Sequence, residues 1–200
     1  MSIFITIEGP NGVGKTTFIE SLANALAPRT VYTTKEPSST DFGRYVKNNE
    51  GALRGKSYAY LISADRCNHI ENEIIPALRK YDIVLCDRYV ESSLVLQHYD
   101  GVSLDFIWKL NEDFLVPNLS IILIANSDNL SSRLAQRKSL SVFEKVISRS
   151  EEVDLYLNAY NYVKQKGFNP IILYNDTVEN HLNNIEEVKQ IISSIEGDSL

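Results

Sequence analysis

The feature that most constrains this sequence is a glycine-rich stretch standing between an apolar run and a helical segment. Residues 9–16 read GPNGVGKT, which fits the pattern G-x-x-x-x-G-K-[S/T] of a phosphate-binding loop. The apolar run IFITIE precedes it at 3–8, and residues 15–27 have a helical pattern. Glycines let such a loop turn tightly and point its N–H groups at an anion, next to the positive end of a helix. The stretch therefore predicts a nucleoside triphosphate site in an α/β fold.

Residues within this loop have distinct expected tasks. The Lys15 ammonium is expected to reach the outer phosphates, and the Thr16 hydroxyl is expected to bind Mg²⁺. A chance glycine-rich turn also fits the pattern, but the strand before it and the helix after it argue against that alternative. The residues expected to bind ATP are Gly9, Pro10, Asn11, Gly12, Val13, Gly14, Lys15, Thr16 and Thr17.

Short apolar runs alternate with helical segments along the whole chain. Buried strands are predicted at 3–8, 82–86, 119–125 and 170–174, with a weaker candidate at 30–34. They lack polar alternation, as expected where helices cover both faces of a parallel sheet. The helical segments are 15–27, 56–80, 90–99, 103–115, 128–138, 142–165 and 178–195. This alternation predicts a doubly wound, parallel five-stranded sheet flanked by helices, in a single domain over residues 1–200.

Composition restricts the partners and the location that we expect. The net charge of −6 argues against a nucleic-acid partner, because phosphate backbones are bound mainly by lysine and arginine. Cys67 and Cys86 lack CxxC spacing and are interpreted as core thiols of a reducing compartment. No apolar run approaches the roughly 20 residues of a membrane helix, and the N-terminus lacks a signal-peptide pattern. We therefore expect a cytoplasmic protein with no membrane partner.

Charged residues follow other predicted strands. The segment KEP at 35–37 comes after the run at 30–34, and the pair Asp-Arg at 87–88 comes directly after the run at 82–86. Doubly wound folds bind ligands at this edge of the sheet, so both segments are candidates for a second phosphate site. A structural Asp-Arg pair that caps the next helix is the alternative for 87–88.

Two further groups of cations have two interpretations each. Arg66 stands amid apolar residues of a long helical segment, and it either reaches the cleft or lies on the surface. The cations at 133–138 and Arg149 either belong to a mobile lid or form a solvated helix face. Phosphoryl transfer needs two phosphates held in line, Mg²⁺, and positive charge over the transferred group. The pattern favours a kinase whose acceptor is itself a phosphate ester.

Five segments carry a resemblance to a known family. FITIEGPNGVGKTT, KEPSST, ADRCNH, DRYVESSLVLQ and VPNLSIIL, in this order and approximate spacing, resemble thymidylate kinases over roughly residues 2–165. The resemblance implies a P-loop kinase fold with a short lid at approximately 137–150. It also implies transfer of the ATP γ-phosphoryl to dTMP, giving dTDP, with Mg²⁺. Members usually act as homodimers, so a homodimer is expected.

The resemblance implies roles for individual residues. Arg88 would contact the transferred phosphoryl, with Asp87 positioning it or the metal, and a lid arginine would assist because the loop itself has none. The catalytic residues it implies are Lys15, Asp87, Arg88, Arg137 and, as the competitor of Arg137, Arg149. The metal ligands would be Thr16 and Asp87. The acceptor would contact Asn11, Lys35, Glu36, Pro37, Ile62, Arg66, Arg88, Ser93 and Gln97.

Departures from the family pattern lie mostly on the acceptor side. Asn11 stands where the family usually has a carboxylate that accepts from the sugar 3′-hydroxyl. An amide still accepts a hydrogen bond, although Asn11 alternatively serves only the turn. Lys35 replaces an arginine that grips the acceptor phosphate, while Ile62 and Leu96 replace aromatic residues. The lid sequence DRFE reads SVFE at 141–144.

Three functional hypotheses follow from these residues. The first is a dTMP kinase of unusual sequence. The second is a kinase of the same fold that acts on another or a modified pyrimidine monophosphate. The third is a nucleotide-binding regulator that has lost transferase activity, and it predicts ATP binding without ADP release stimulated by any monophosphate.

Overall fold

Five parallel strands form the centre of this computed structural model, which describes residues 2–137 and 139–197. The strands are β1 (Ile3–Glu8), β2 (Val31–Lys35), β3 (Ile83–Asp87), β4 (Leu119–Ile124) and β5 (Pro170–Tyr174). Their order across the sheet is β2-β3-β1-β4-β5, and every neighbouring pair is parallel. The predicted doubly wound, five-stranded parallel sheet is confirmed, including the weaker second strand.

Helices cover both faces of this sheet. They are α1 (Lys15–Ala25), α2 (Asp41–Asn48), α3 (Gly55–His69), α4 (Ile75–Leu78), α5 (Val90–Tyr99), α6 (Leu104–Lys109), α7 (Ser127–Ala135), α8 (Val142–Val146), α9 (Arg149–Gln165) and α10 (Val178–Gly197). A π-helical stretch, Ile70–Ile74, joins α3 to α4. None of the described helices is long and apolar enough to span a membrane.

Alternation along β1 explains why the sheet has two apolar layers. Every residue of β1 is buried, and successive side chains of a strand point to opposite faces. Ile5 belongs to the layer formed with α1 and α10, which contribute Leu22 and Val188. Phe4 belongs to the layer formed with α5 and α9, to which Tyr156 contributes. A central parallel strand is thus apolar throughout because both of its faces are covered.

Several predicted helix limits were wrong. Residues 41–48 form a helix that was not predicted, begun by Thr40, whose hydroxyl accepts from the Gly43 N–H. The segment predicted at 103–115 is an α-helix only over α6. The segment predicted at 142–165 is two helices, because Ile147 is extended and the Ser148 hydroxyl caps a new helix by accepting from the Glu151 N–H.

Three predicted ranges, the single domain, the helix at 128–138 and the lid at approximately 137–150, include residues outside the described ones. Met1, Lys138 and residues 198–200 belong to the predicted single domain, and Lys138 also ends the predicted helix at 128–138; all of them lie outside the described residues.

Within the described part, the strand order fixes the place of the site. The neighbours of β1 are β3 on one side and β4 on the other, and ligands of such sheets bind where the connections diverge.

Candidate active site

Two cavities meet at the carboxyl ends of the strands. The smaller one, here called the loop cavity, has a volume of about 360 Å³. It is lined by Asn11, Gly12, Gly14, Lys15, Thr16, Thr17, Asp87, Arg88, Arg133 and Arg137. The larger one, here called the wide cavity, has a volume of about 560 Å³. Asn11, Arg88 and Arg137 line both cavities, so they stand at the junction between them.

The phosphate-binding loop is held tightly against the sheet. Gly9 has a φ of 135°, and a Cβ there would lie 2.2 Å from the carbonyl oxygen of Leu123. Only glycine therefore fits at this position. The Lys15 ammonium donates to the carbonyl oxygens of Gly9 at 2.8 Å and Pro10 at 3.1 Å. Burial, followed by the positive charge of Arg88, lowers the pKa of Lys15 to about 8.

Thr16 and Asp87 provide oxygen atoms at the floor of the loop cavity. The Thr16 hydroxyl lies 3.4 Å from Asp87 Oδ2. The other carboxylate oxygen, Oδ1, is buried and has no hydrogen-bond partner within the described residues. Hydroxyl and carboxylate oxygens are the ligands that Mg²⁺ prefers, and an unpaired buried carboxylate oxygen suits a cation. The residues predicted to bind metal fit that group.

A second cluster of potential metal ligands is less suited to a cation. Glu36, His69 and Cys86 are buried and place one ligand atom each within 4.8 Å of one another. However, Glu36 Oε2 accepts from the Arg66 guanidinium at 2.7 Å, and His69 Nε2 lies 2.7 Å from the Thr34 hydroxyl. The fixed positive charge of Arg66 opposes a metal ion at this cluster.

Arg88 occupies the junction of the two cavities in an unusual backbone conformation. Its φ is 75°, in the left-handed region, and such strain is concentrated at functional sites. The guanidinium donates to the hydroxyls of Ser92 and Tyr156, both at 3.0 Å, and to Asn11 Oδ1 at 2.7 Å. These three contacts fix the planar group between the loop and α9.

Glu8, which sequence reasoning missed, holds the turn that presents Arg88. The fully buried Glu8 carboxylate accepts from the Tyr89 N–H at 2.5 Å and from the Ser92 hydroxyl at 2.6 Å. Burial raises the pKa of Glu8, although the bond from Ser92 opposes that rise. A glutamate that ends a largely apolar run was the available signal, because a buried charge needs a specific partner.

Asn11 is held by partners from two other elements. Its backbone N–H and its side-chain Nδ2 donate to Glu152 Oε1 at 3.0 and 2.9 Å. Its oxygen accepts from Arg88. Both ends of its amide are therefore hydrogen-bonded within the protein, and a contact of Asn11 with an acceptor sugar stays a prediction. Glu152, which sequence reasoning also missed, is fully buried.

The two candidate lid arginines lie in different places. Arg137 lines both cavities and forms an ion pair with Glu144. Arg149 lines neither cavity, since its guanidinium donates to Glu152 Oε2 and to the Glu144 carbonyl oxygen, both at 2.9 Å. The geometry favours Arg137 as the arginine that faces a ligand. Arg133, not among the predicted site residues, also lines the loop cavity.

Most of the predicted acceptor residues line the wide cavity. They are Asn11, Glu36, Pro37, Ile62, Arg66, Arg88, Ser93 and Gln97, joined by Leu96. Lys35 is exposed at the end of β2 and lines neither cavity. The Gln97 side-chain oxygen is buried and has no hydrogen-bond partner in the described part of the chain, so it can accept from a ligand in the cavity.

Arg66 is a buried part of the cavity wall, so the surface interpretation is wrong. It is 1% exposed, and its Nε donates to Glu36 at 2.7 Å. Its Nη2 donates to the Tyr89 carbonyl oxygen at 2.9 Å and to the Ser93 hydroxyl at 3.0 Å. Arg66 therefore organises Glu36 and Ser93 at the cavity wall as well as lining it.

Part of the segment predicted as a lid, residues 139–145, lines the wide cavity and is here called the roof. Helix α2 contributes Lys47 and Asn48 to the same cavity. Glu50 is hydrogen-bonded to the roof, since its carboxylate accepts from the N–H groups of Val142 at 3.1 Å and Phe143 at 3.4 Å.

Comparison with known proteins points to one family. The thymidylate kinase family model matches residues 7–181. A probable thymidylate kinase of Pyrobaculum calidifontis is 41% identical over 160 residues, which cover 78% of this chain and 81% of the relative. A thymidylate kinase of Staphylococcus epidermidis is 33% identical over 182 residues, with 82% and 89% covered.

Solved structures agree in fold. The crystal structure of the Ehrlichia chaffeensis thymidylate kinase has a TM-score of 0.67 and 25% identity, covering 94% of this chain and 98% of that one. The Candida albicans thymidylate kinase has a TM-score of 0.75 over 98% of this chain and 92% of its own. At 18% identity, the Candida structure supports the fold alone.

Proposed function

Because this chain belongs to the thymidylate kinase family, we infer that it is an ATP-dependent kinase that transfers the γ-phosphoryl of ATP to dTMP, giving dTDP and ADP. One observation carries this inference beyond family membership. The loop cavity and the wide cavity meet at Arg88, which lines both of them. Transfer between two phosphates requires such an arrangement, because donor and acceptor must lie in line.

The loop cavity is proposed to bind ATP. Lys15 donates to two loop carbonyl oxygens, and we expect it to turn to the outer phosphates when ATP binds. Thr16 and Asp87 would hold Mg²⁺, which neutralises phosphate charge when bound. Arg88 and Arg137 would add positive charge over the transferred group.

The wide cavity is proposed to bind dTMP. Ile62 and Leu96 supply apolar surface for the base and its methyl group. The Gln97 oxygen offers an unpaired acceptor for a base N–H. Asn11 stands at the junction, between the acceptor and the loop. The exposed position of Lys35 makes a role in binding the acceptor phosphate depend on movement of that side chain.

Three further parts of the proposal rest on the sequence and on the family resemblance. These are Mg²⁺ as the required metal, a homodimer as the assembly, and the cytoplasm as the location. Gel filtration with light scattering tests the assembly, and an apparent mass of one chain would contradict it.

Product analysis tests the proposed function. The protein is incubated with ATP, Mg²⁺ and dTMP, and nucleotides are separated by ion-exchange chromatography. We expect equal amounts of ADP and dTDP from the natural chain. We expect little of either from Lys15→Ala, which removes the cation closest to the loop carbonyl oxygens. ATP binding by the natural chain without ADP release stimulated by any monophosphate would instead support a regulator.

A further inference from the structure

An unbroken series of polar contacts runs from α9 to the junction of the two cavities. Arg149 donates to Glu152 Oε2 at 2.9 Å, and Glu152 Oε1 accepts from Asn11 Nδ2 at the same distance. Asn11 Oδ1 then accepts from Arg88 at 2.7 Å. The order is cation, carboxylate, amide, cation, and it links residues 141 positions apart in sequence.

Both carboxylate oxygens of Glu152 are used within this series of contacts. Its side chain is 1% exposed, and it lines neither cavity. A buried carboxylate is costly unless it is paired and hydrogen-bonded. Here Arg149 supplies the opposite charge, while the backbone N–H and the Nδ2 of Asn11 supply two further bonds. The positive charges of Lys15 and Arg88 also face this carboxylate.

These contacts specify both the residue type and the orientation at position 11. The atom facing Glu152 must be a donor, and the atom facing Arg88 must be an acceptor. An amide meets both demands in one orientation only, because the reversed amide places donor against donor and acceptor against acceptor. A carboxylate at position 11 would place two anionic oxygens about 2.9 Å apart.

We propose that Glu152 is a positioning residue for phosphoryl transfer, which acts through the Asn11 amide on the Arg88 guanidinium. This rests on the proposed function, in which Arg88 faces the transferred group. Glu152 also anchors the base of the roof, since its partner Arg149 donates to the Glu144 carbonyl oxygen at 2.9 Å. The carboxylate thus holds the loop, the junction arginine and the roof in one arrangement.

Four proteins test this: the natural chain, Glu152→Gln, Asn11→Asp, and the double variant. We expect Glu152→Gln to lower kcat about tenfold, and Asn11→Asp to lower it about 30-fold, since each leaves a mismatched pair. In the double variant the amide at 152 can donate to the carboxylate at 11. We therefore expect kcat to be at least about fivefold above that of Asn11→Asp alone. Recovery is partial, because the backbone N–H of residue 11 loses its acceptor.

The effect of the change at residue 152 on kcat is expected to reverse with the residue at position 11, and this reversal distinguishes positioning from general support of the fold. The same change at 152 is expected to harm catalysis when residue 11 is an amide and to help it when residue 11 is a carboxylate. Glu151→Gln is the matched control, because this neighbouring glutamate is exposed, and its kcat should equal that of the natural chain. A double variant no faster than Asn11→Asp alone would overturn the proposal, as would an unchanged kcat in Glu152→Gln.

Urea unfolding of the same proteins provides a readout that is independent of substrate. The unfolding midpoint should fall in Asn11→Asp and rise again in the double variant. Additive midpoint shifts would overturn the Asn11–Glu152 pairing. If the natural chain forms no dTDP but the midpoints show this reversal, the proposed function is wrong and the pairing is supported.

Discussion

Replacing Arg88 by lysine keeps the positive charge at the junction but removes the forked shape of the side chain. In the structure the guanidinium donates to Ser92 and Tyr156 at 3.0 Å and to Asn11 at 2.7 Å. A guanidinium has five N–H donors, so two face no acceptor in the described part of the chain and are available to phosphate oxygens. A lysine ammonium has three donors, and the three existing partners would use all of them.

The loss follows from the two donors that lysine cannot supply. A hydrogen bond to a charged group contributes about 1.5–3 kcal/mol, so two such bonds in the transition state amount to about 3–6 kcal/mol. Since each 1.36 kcal/mol corresponds to about tenfold in rate, Arg88→Lys should lower kcat by about 10²–10⁴-fold. KM for dTMP should change less, because the contribution is largest where charge develops during transfer.

Steady-state ADP release at saturating ATP and dTMP measures this effect. Arg44→Lys is the matched control, since Arg44 lies on α2 with 62% of its side chain exposed and lines neither cavity. Its kcat should match that of the natural chain, and near-UV circular dichroism should show that Arg88→Lys is folded. A kcat for Arg88→Lys within threefold of the natural value would refute the reasoning about free guanidinium donors.

Three further predictions concern buried charges. Because the pKa of Lys15 is lowered to about 8, Lys15 is about half protonated at pH 8, and ATP binding at this pH should take up about half a proton. Calorimetry in buffers of different ionisation enthalpy measures this uptake, and a binding enthalpy that does not depend on the buffer would contradict it. Glu36→Gln leaves the buried Arg66 cation without its counter-charge, so the free energy of unfolding in urea should fall by about 3 kcal/mol; a loss below about 1 kcal/mol would show that the remaining partners of Arg66 suffice. Burial, and then the charge of Glu8, raises the pKa of Glu91 to about 8 from 4.5. The unfolded carboxyl loses its proton at lower pH than the folded one, so this group makes stability fall as pH rises from about 4.5 to 8. Unfolding at pH 5.5 and pH 8 should show a smaller fall in Glu91→Gln, and equal falls would refute the assignment.

The strands were predictable because burial on both faces leaves a direct record in the sequence. All six residues of β1 and all six of β4 are buried, and their runs are accordingly apolar except for Thr6, Glu8 and Ser120. The helix α2 leaves no such record, since only Gly43 and Val46 are buried in it. A Cβ added at Gly43 would lie 2.1 Å from the Ser38 carbonyl oxygen, so glycine is required there. The sequence alone does not reveal this contact.

The sequence contains a pattern that marks the break between α8 and α9, but the continuing apolar period across it favoured a single helix. The pattern S-x-x-E occurs at 141–144 and again at 148–151, and such a pattern marks a helix start. In the structure Ser141 and Ser148 each accept from the N–H three residues on. The apolar period continued across the break, so two short helices were predicted as one long one.

The candidate site was predictable where one segment builds it. The loop residues and Arg88 follow from local pattern and from their place after a strand. The Asn11–Glu152 contact spans 141 residues, and Arg137, which follows α7, lines the loop cavity while Arg149, at the start of α9, does not. Neither follows from spacing along the chain, because both depend on how α9 and the segment after α7 pack around the loop.

The most direct test of the central claim is the ratio of kcat/KM among acceptors. ATP and Mg²⁺ are held constant while dTMP, dUMP, dCMP and UMP are compared by ADP release. We predict that dTMP is the best acceptor and that it exceeds dUMP by about tenfold or more, the discrimination a single methyl group supports in an apolar pocket such as that of Ile62 and Leu96. Faster turnover of another monophosphate than of dTMP, or ADP release unaffected by any acceptor, would contradict the account.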